Sequence, residues 1–237
     1  MDFSPSAFFD LSKYAHSGLF EGCEYVWEAL SRLSQYLKSQ QLGKIEVEVP
    51  AGVVIVNPEL VSIAKGCRLE PGAYIQGPCI IGENTEVRQA AYIRGNVIVG
   101  RSCVVGHATE MKHAVFLDGT HAGHFAYVGD SILGNDVNLG AGVKCANVRL
   151  DRCEVSVRGD HQKHMTGLKK FGAIIGDFCQ LGCNSVLNPG TIMGKDVACA
   201  PCVAVGGVIP AKHRIVDRNA LSIVPFDGVE AFLPKKR

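Results

Sequence analysis

The sequence predicts an all-β protein, a left-handed parallel β-helix with a helical segment at its N-terminus. Three observations carry this. An aliphatic residue returns at every sixth position through the middle of the chain, glycine tends to follow it, and bulky side chains are scarce: 27 of 237 residues are Gly, while Phe, Trp and Tyr together make 7%. A period of six fits neither the turn of about 3.6 residues of an α-helix nor the alternation of an ordinary strand, so repetition itself is the organising signal.

Residues 1–45 come first and read as helical over residues 6–42. Val26, Leu30, Leu33 and Leu37 form one apolar stripe at helical spacing, Tyr25 and Trp27 border it, and Gly43 supplies a stop. A stripe of this kind packs on the coil or on another subunit. Residues 46–207 carry the coil. Its aliphatic positions are Ile63, Leu69, Ile75, Ile81, Val87, Ile93, Val99, Val105 and Met111, then Ile175, Leu181, Leu187, Met193, Cys199 and Val205. Four positions after each sits a small residue, among them Cys67, Ala73, Cys79, Thr85, Ala91, Cys103, Thr109, Cys179, Ser185 and Thr191. Each hexad makes one short strand and one turn, and three hexads close a triangular coil of 18 residues. The aliphatic side chain points inward onto its copies, the small residue fits near a corner, and glycine serves turns of unusual dihedral. Such a core grows linearly, coil by coil. Its hand is a known exception to the right-handed crossover rule.

Two segments break the pattern. Residues 151–172 are polar, with His161, Lys163, His164, Lys169 and Lys170, and read as a loop protruding at a functional or oligomer contact. Residues 208–237 lose the hexads and read as a tail ending in Lys235, Lys236 and Arg237.

Charge and composition remove other classes. With 24 basic against 23 acidic residues, interspersed, there is no nucleic-acid or membrane-surface footprint. No apolar run approaches the ~20 residues of a membrane span, and Asp2, Asp10 and Lys13 stand where a signal peptide would be apolar, so a cytoplasmic protein is expected. Ten cysteines then read as reduced thiols. Cys199-Ala-Pro-Cys202, with Cys179 and Cys183 nearby, has metal-like spacing. Several cysteines fall in phase with the coil, however, where free Cys acts as a compact hydrophobe, and no tightly bound metal is expected.

The chemistry gathers between the hexad blocks. Four of the eight histidines lie between positions 107 and 124. Arg94 stands one 18-residue turn before Lys112, which stacks two cations on successive coils. Such a pair is either a grip for a phosphate dianion or two solvated charges.

The runs Glu110-Met-Lys112, His124-Phe-Ala-Tyr127-Val-Gly-Asp130, Asn138-Leu-Gly-Ala-Gly142, Asn147 and Lys170-Phe-Gly-Ala-Ile-Ile-Gly-Asp177 resemble the acetyltransferase domain of the bifunctional N-acetylglucosamine-1-phosphate uridyltransferase/glucosamine-1-phosphate acetyltransferase family, which are hexapeptide-repeat acyltransferases. The likeness covers residues 60–207. It implies His124 as catalytic base and Arg94, Lys112, Tyr127, Asn138 and Lys170 as contacts of the amino-sugar phosphate. It further implies Ala141, Asn147 and Cys183 near acetyl-CoA, Cys183 standing where the family usually has serine. Family members are homotrimers with sites between neighbouring coils. The implied reaction is acyl transfer, of acetyl, from coenzyme A to an amino-sugar phosphate such as glucosamine 1-phosphate, in cell-envelope amino-sugar biosynthesis. An imidazole titrating near about 6.5 suits removal of the amine proton. Glu110 or Asp130 would orient it, and backbone N–H groups of Gly140-Ala141-Gly142 would meet the oxyanion.

The chain also departs from that family. Val148-Arg149 replaces its Tyr-Asp pair, the 151–172 insertion separates Asn147 from Lys170, and residues 1–45 contain no Gly-rich nucleotide loop, so uridylyl transfer is not expected. Three alternatives stay open. One is acylation of a nucleotide-activated amino sugar, as in the lipid A branch of this fold. Another is a zinc hydratase using His107, His113, His121 and His124. The third is a non-catalytic sugar-phosphate-binding trimer. Arg214, Arg218 and Lys235 are either coenzyme A phosphate contacts or solvated charges.

Overall fold

A computed structural model describes residues 1–159 and 162–217. Three parallel sheets of eight strands each form the sides of a left-handed triangular coil. The first begins with Val54–Val56, the second with Val61–Ile63 and the third with Arg68–Leu69. The hexad residues point inward as expected: Ile63, Ile75, Ile81, Val87, Ile93, Val99, Val105, Met111, Ile175, Leu187 and Met193 are fully buried in one continuous core.

The small slot has a polar reason as well as a steric one. Thr85 Oγ1 donates to Gly100 O at 2.8 Å, Cys103 Sγ to Leu117 O at 3.0 Å, Thr109 Oγ1 to Ala122 O at 3.0 Å and Cys179 Sγ to Gly194 O at 3.1 Å. Hydroxyls and thiols there satisfy corner carbonyls one coil on, groups that would otherwise be buried without a partner. Glycine after the aliphatic residue is also explained: a Cβ on Gly82 would stand 2.6 Å from the Gly100 backbone, and one on Gly176 2.7 Å from that of Gly194.

The coil is not uniformly 18 residues. Val97 pairs with Ala114 and Ile132 with Val115, each 17 residues apart, so Phe116, Val128, Leu133, Leu139 and Cys145 take the inward slots in a shifted phase. The missing residue is lost at one corner. Gly95 and Asn96 turn it together with positive φ, whereas His113 and Asp130 each turn it alone. Shortening recurs near the end, where Ile192 pairs with Val208, and this hid the last coil. Val208–Ile209 and Arg214–Ile215 add strands to the second and third sheets, so the coil runs past residue 207. Residues 218–237, with Arg218, Lys235, Lys236 and Arg237, lie outside the described residues, as does His161.

The N-terminal segment is less helical than its stripe implied. It holds helix α1 (Pro5–Phe8), one 3-10 turn (Ser17–Phe20) and helix α2 (Glu28–Ser39). Gly22 with φ +66° interrupts the middle, and α2 ends before Gly43. Val26, Leu30, Leu33 and Leu37 are nonetheless all buried. They meet the second sheet, whose outward column Ile98, Val115, Ile132, Ile174 and Ile192 is fully buried. Each such side chain contributes about 1.5–3 kcal/mol when withdrawn from water. The insertion does not protrude as a loose loop. Ser156–Arg158 and Lys163–Met165 pair as an antiparallel hairpin, Val155 and Val157 bury beside the segment, and His164 sits among Phe3, Tyr25 and Trp27 at 5.3–6.1 Å. One sheet is thus covered from within the chain, while the first and third stay open. Among the described residues no helix is long and apolar enough to cross a membrane.

Candidate active site

The expected site residues fall into two groups on opposite edges of the first sheet. At the edge it shares with the second sheet, Arg94 and Lys112 stand on successive strands, as the register of Ile93 with Met111 requires. Each cation already holds a carboxylate. Arg94 Nη1 lies 2.7 Å from Glu110, and Lys112 Nζ lies 3.0 and 3.2 Å from the two oxygens of Asp130. Asn147 Nδ2 donates to the same Asp130 at 2.5 Å. Asp130 is 5% exposed with φ +47°, a conformation Asp tolerates better than most residues. The Glu110 hydrogen bond raises the Arg94 pKa. Burial raises that of Tyr127, with Glu110 and Asp130 adding to the shift. The chain next to Lys170 is tied to this edge, Phe171 N–H binding Asn147 O at 2.9 Å and Gly172 N–H binding Asp130 O at 2.8 Å, and Lys170 itself is exposed.

At the other edge, shared with the third sheet, His124, Ala141 and Cys183 form one column along the coil axis. Gly142 N–H binds His124 O at 2.9 Å, and Asn184 N–H binds Ala141 O at 2.8 Å. Successive members are therefore one coil apart, about 4.8 Å. His124 and Cys183 are exposed, and Ala141 is half-buried. A groove of about 350 Å³ runs beside them, lined by His124, Asn138 and Ala141 together with Arg88, His121 and Gly123. The Ala141 and Cys183 N–H groups make no hydrogen bond among the described residues, whereas the Gly140 and Gly142 N–H groups are spent on Leu181 O and His124 O.

The structure thus brings His124, Asn138, Ala141 and Cys183 together, and separately Arg94, Lys112, Asn147 and Lys170, with Tyr127 on the strand between. Asn147 lies with the cations and not in the Ala141–Cys183 column. Neither Glu110 nor Asp130 reaches the His124 ring, since both are held by cations on the first sheet. The Lys112–Asp130 pair was legible from the same one-coil arithmetic that stacked Arg94 on Lys112, because Asp130 follows by 18 residues; Glu110 follows Arg94 by 16 and meets it diagonally, being the register partner of Tyr92.

Among the described residues of one chain the histidines do not gather into a metal centre. His113 Nε2 binds Leu30 O at 2.9 Å, and His107 Nδ1 lies 3.1 Å from Gln89 O. No group of three His, Cys, Asp or Glu side chains among the described residues could hold a metal ion. Cys199 is buried while Cys202 is exposed at a corner, so the Cys-x-x-Cys spacing is coil phase. Burial pushes the Cys103, Cys145 and Cys179 thiols up to about 12, which keeps them protonated.

Fold and repeat together define a hexapeptide-repeat protein. Residues 75–168 match the family described as the GMPPB C-terminal domain. A bifunctional sugar-1-phosphate nucleotidylyltransferase/acetyltransferase of Sulfurisphaera tokodaii is 34% identical over 163 residues, 68% of this chain and 39% of that protein. The bifunctional protein GlmU of a Picosynechococcus species is 32% identical over 176 residues, 68% of this chain and 34% of that protein. The chain therefore spans about two fifths or less of the length of these bifunctional relatives. The putative uncharacterized acetyltransferase YaiX of Escherichia coli is 36% identical over 182 residues, 75% of this chain and 79% of that protein. The chain belongs to the hexapeptide-repeat acetyltransferases of which YaiX and the C-terminal domain of GlmU are members, a family of enzymes.

Proposed function

We propose that the chain transfers an acetyl group from acetyl-CoA to the amine of an amino-sugar phosphate, glucosamine 1-phosphate being the reference acceptor, with His124 as general base. The single observation that carries the reading is the column in which an unbonded His124 ring stands one coil from the free N–H of Ala141 and two from that of Cys183. His124 takes a proton from the acceptor ammonium, and the amine nitrogen attacks the thioester carbonyl carbon. The carbonyl electron pair moves onto oxygen, where the Ala141 N–H stabilises it. Collapse breaks the C–S bond, the nitrogen's second proton passes to solvent, and the thiolate recovers the first from the His124 imidazolium. Of the Gly140-Ala141-Gly142 amides, Ala141 alone is unspent. Cys183 continues the column and gives the extended donor a straight track parallel to the axis.

Arg94, Lys112, Tyr127, Asn138 and Lys170 are assigned to the acceptor, and Ala141, Asn147 and Cys183 to the donor. The cations and His124 occupy opposite edges of one sheet, so a homotrimer would complete the site by setting the cationic edge of one copy against the histidine corner of the next. The open first and third sheets support that arrangement. The test is release of free coenzyme A thiol from acetyl-CoA with purified protein, comparing glucosamine 1-phosphate with a UDP-activated amino sugar. The reading expects turnover with the sugar phosphate that His124→Ala abolishes. Turnover with the UDP sugar alone overturns the acceptor assignment. Unchanged turnover in His124→Ala overturns the base.

A further inference from the structure

His121 and Gly123 are idle in the mechanism above, yet both face the His124 groove. Among the described histidines, the rings of His16, His107, His113 and His213 are each hydrogen-bonded, and His164 is boxed by aromatic rings. His121 and His124 have no hydrogen bond and open on the same groove. His121 is the register partner of Asn138, so the two side chains stand next to each other on neighbouring strands, about 4.8 Å apart at the backbone. The Asn138 carboxamide is likewise unbonded. An imidazole and a carboxamide together offer donors and acceptors alternately, which matches hydroxyl groups, since each hydroxyl both donates and accepts.

Gly123 is the second, independent observation. In the same corner column, a Cβ on Gly106 would overlap the Gly123 carbonyl, and one on Gly140 would stand 2.6 Å from Cys183 N. Those glycines are dictated by the approach of the next coil. A Cβ on Gly123 would meet nothing within 4 Å, and its φ is not in the left-handed range. Neither packing nor backbone demands glycine there; the open space belongs to the groove.

We infer that His121, paired with Asn138, contacts the hydroxyl-bearing face of the sugar acceptor, and that Gly123 is bare so that the ring lies flat against the strand. This rests on the acyl-transfer reading and adds a specificity-determining contact to it.

The test compares His121→Ala, His121→Gln, Gly123→Ala and Gly123→Val with the intact chain. Expected is a rise of about tenfold in acceptor KM for His121→Ala, the size of one lost hydrogen bond. The kcat, the KM for acetyl-CoA and the Tm should hold, and His121→Gln should recover most of the loss. The two Gly123 variants should raise acceptor KM in order of size without lowering Tm. An unchanged acceptor KM in His121→Ala and Gly123→Val overturns the inference while leaving acyl transfer standing. So does a fall in Tm and kcat together, the mark of a structural role. Imidazole resonances followed during titration with glucosamine 1-phosphate separate the two levels. Shifts at His121 without turnover keep the contact and refute the enzyme; no shift and no turnover refute both.

Discussion

Replacing Asp130 by Asn tests how the cationic edge is held. The Asp130 side chain is 7% exposed, and its carboxylate accepts from Lys112 at 3.0 and 3.2 Å and from Asn147 at 2.5 Å. Removing one partner of a fully buried ion pair costs about 3–5 kcal/mol, because the other charge stays uncompensated. Here the Lys112 side chain is 25% exposed and can turn partly to water, which lowers the cost. Asn also keeps the left-handed backbone at φ +47° and one acceptor oxygen. A charge-assisted hydrogen bond contributes about 1.5–3 kcal/mol, so the net loss works out at about 2–3 kcal/mol. For a chain of this size each kcal/mol moves Tm by about 2–4 °C, giving a fall of about 4–12 °C by calorimetry. Adding Lys112→Met to the variant should restore part of the loss, since no orphan charge remains. The acceptor KM should hold or fall, as Lys112 gains freedom to meet a dianion. A Tm equal to that of the unaltered chain, with no coupling in the double variant, would refute the claim that this pair fixes the corner.

Gly106→Ala should lose more than 3 kcal/mol, well above the common range for a point change, because its Cβ overlaps the Gly123 carbonyl. Gly123→Ala one coil on should be neutral, and urea midpoints of the two compare them directly. Thiol labelling of the native protein should modify Cys153, Cys183 and Cys202 and spare Cys79, Cys103, Cys145, Cys179 and Cys199. Coenzyme A should protect Cys183 alone among the reactive three. Burial lowers the pKa of His16, against the Asp118 charge, and of His113, against Asp130 and the Leu30 hydrogen bond with Lys112 assisting. The unfolded imidazoles protonate near about 6.5 and the folded ones only below it, so the unfolded state binds more protons in between. The stability these two give the N-terminal segment is therefore full above that value and is lost as pH falls through the folded pKa values; urea midpoints should drop with acid, and His113→Asn should flatten the slope.

What could be read in advance was whatever obeys the period. Burial of Ile63 through Met111 depends only on position within a hexad, so counting sixes recovers it. The stripe from Val26 to Leu37 was equally visible, but its partner was not. The column Ile98, Val115, Ile132, Ile174 and Ile192 faces outward, where a bare solenoid would be polar, and that surplus was the sign of a covering segment. Counting failed wherever one coil lost residues. The single left-handed corners at His113 and Asp130 shift the phase by one each, and the shortened coil before Val208 made two real strands look like tail. A deletion at a corner costs no core contact, so nothing in the apolar pattern marks it.

The site was half legible for the same reason. Coil arithmetic puts His124, Ala141 and Cys183 in one line and Arg94 beside Lys112, yet it says nothing of which groups are already satisfied. Elsewhere on the coil some corner N–H groups are capped by carboxylates from the next coil, Arg101 by Asp118 at 2.8 Å and Asn135 by Asp177 at 2.7 Å, while those of Glu83 and Lys195 make no hydrogen bond among the described residues. At the histidine corner the equivalent N–H groups of Ala141 and Cys183 have no cap, two imidazoles have no partner, and Gly123 has no neighbour to accommodate. What sets this edge apart is the combination of uncapped N–H groups, two unpartnered imidazoles and a glycine that packing does not require, and local rules of a fold are broken mainly where function requires it.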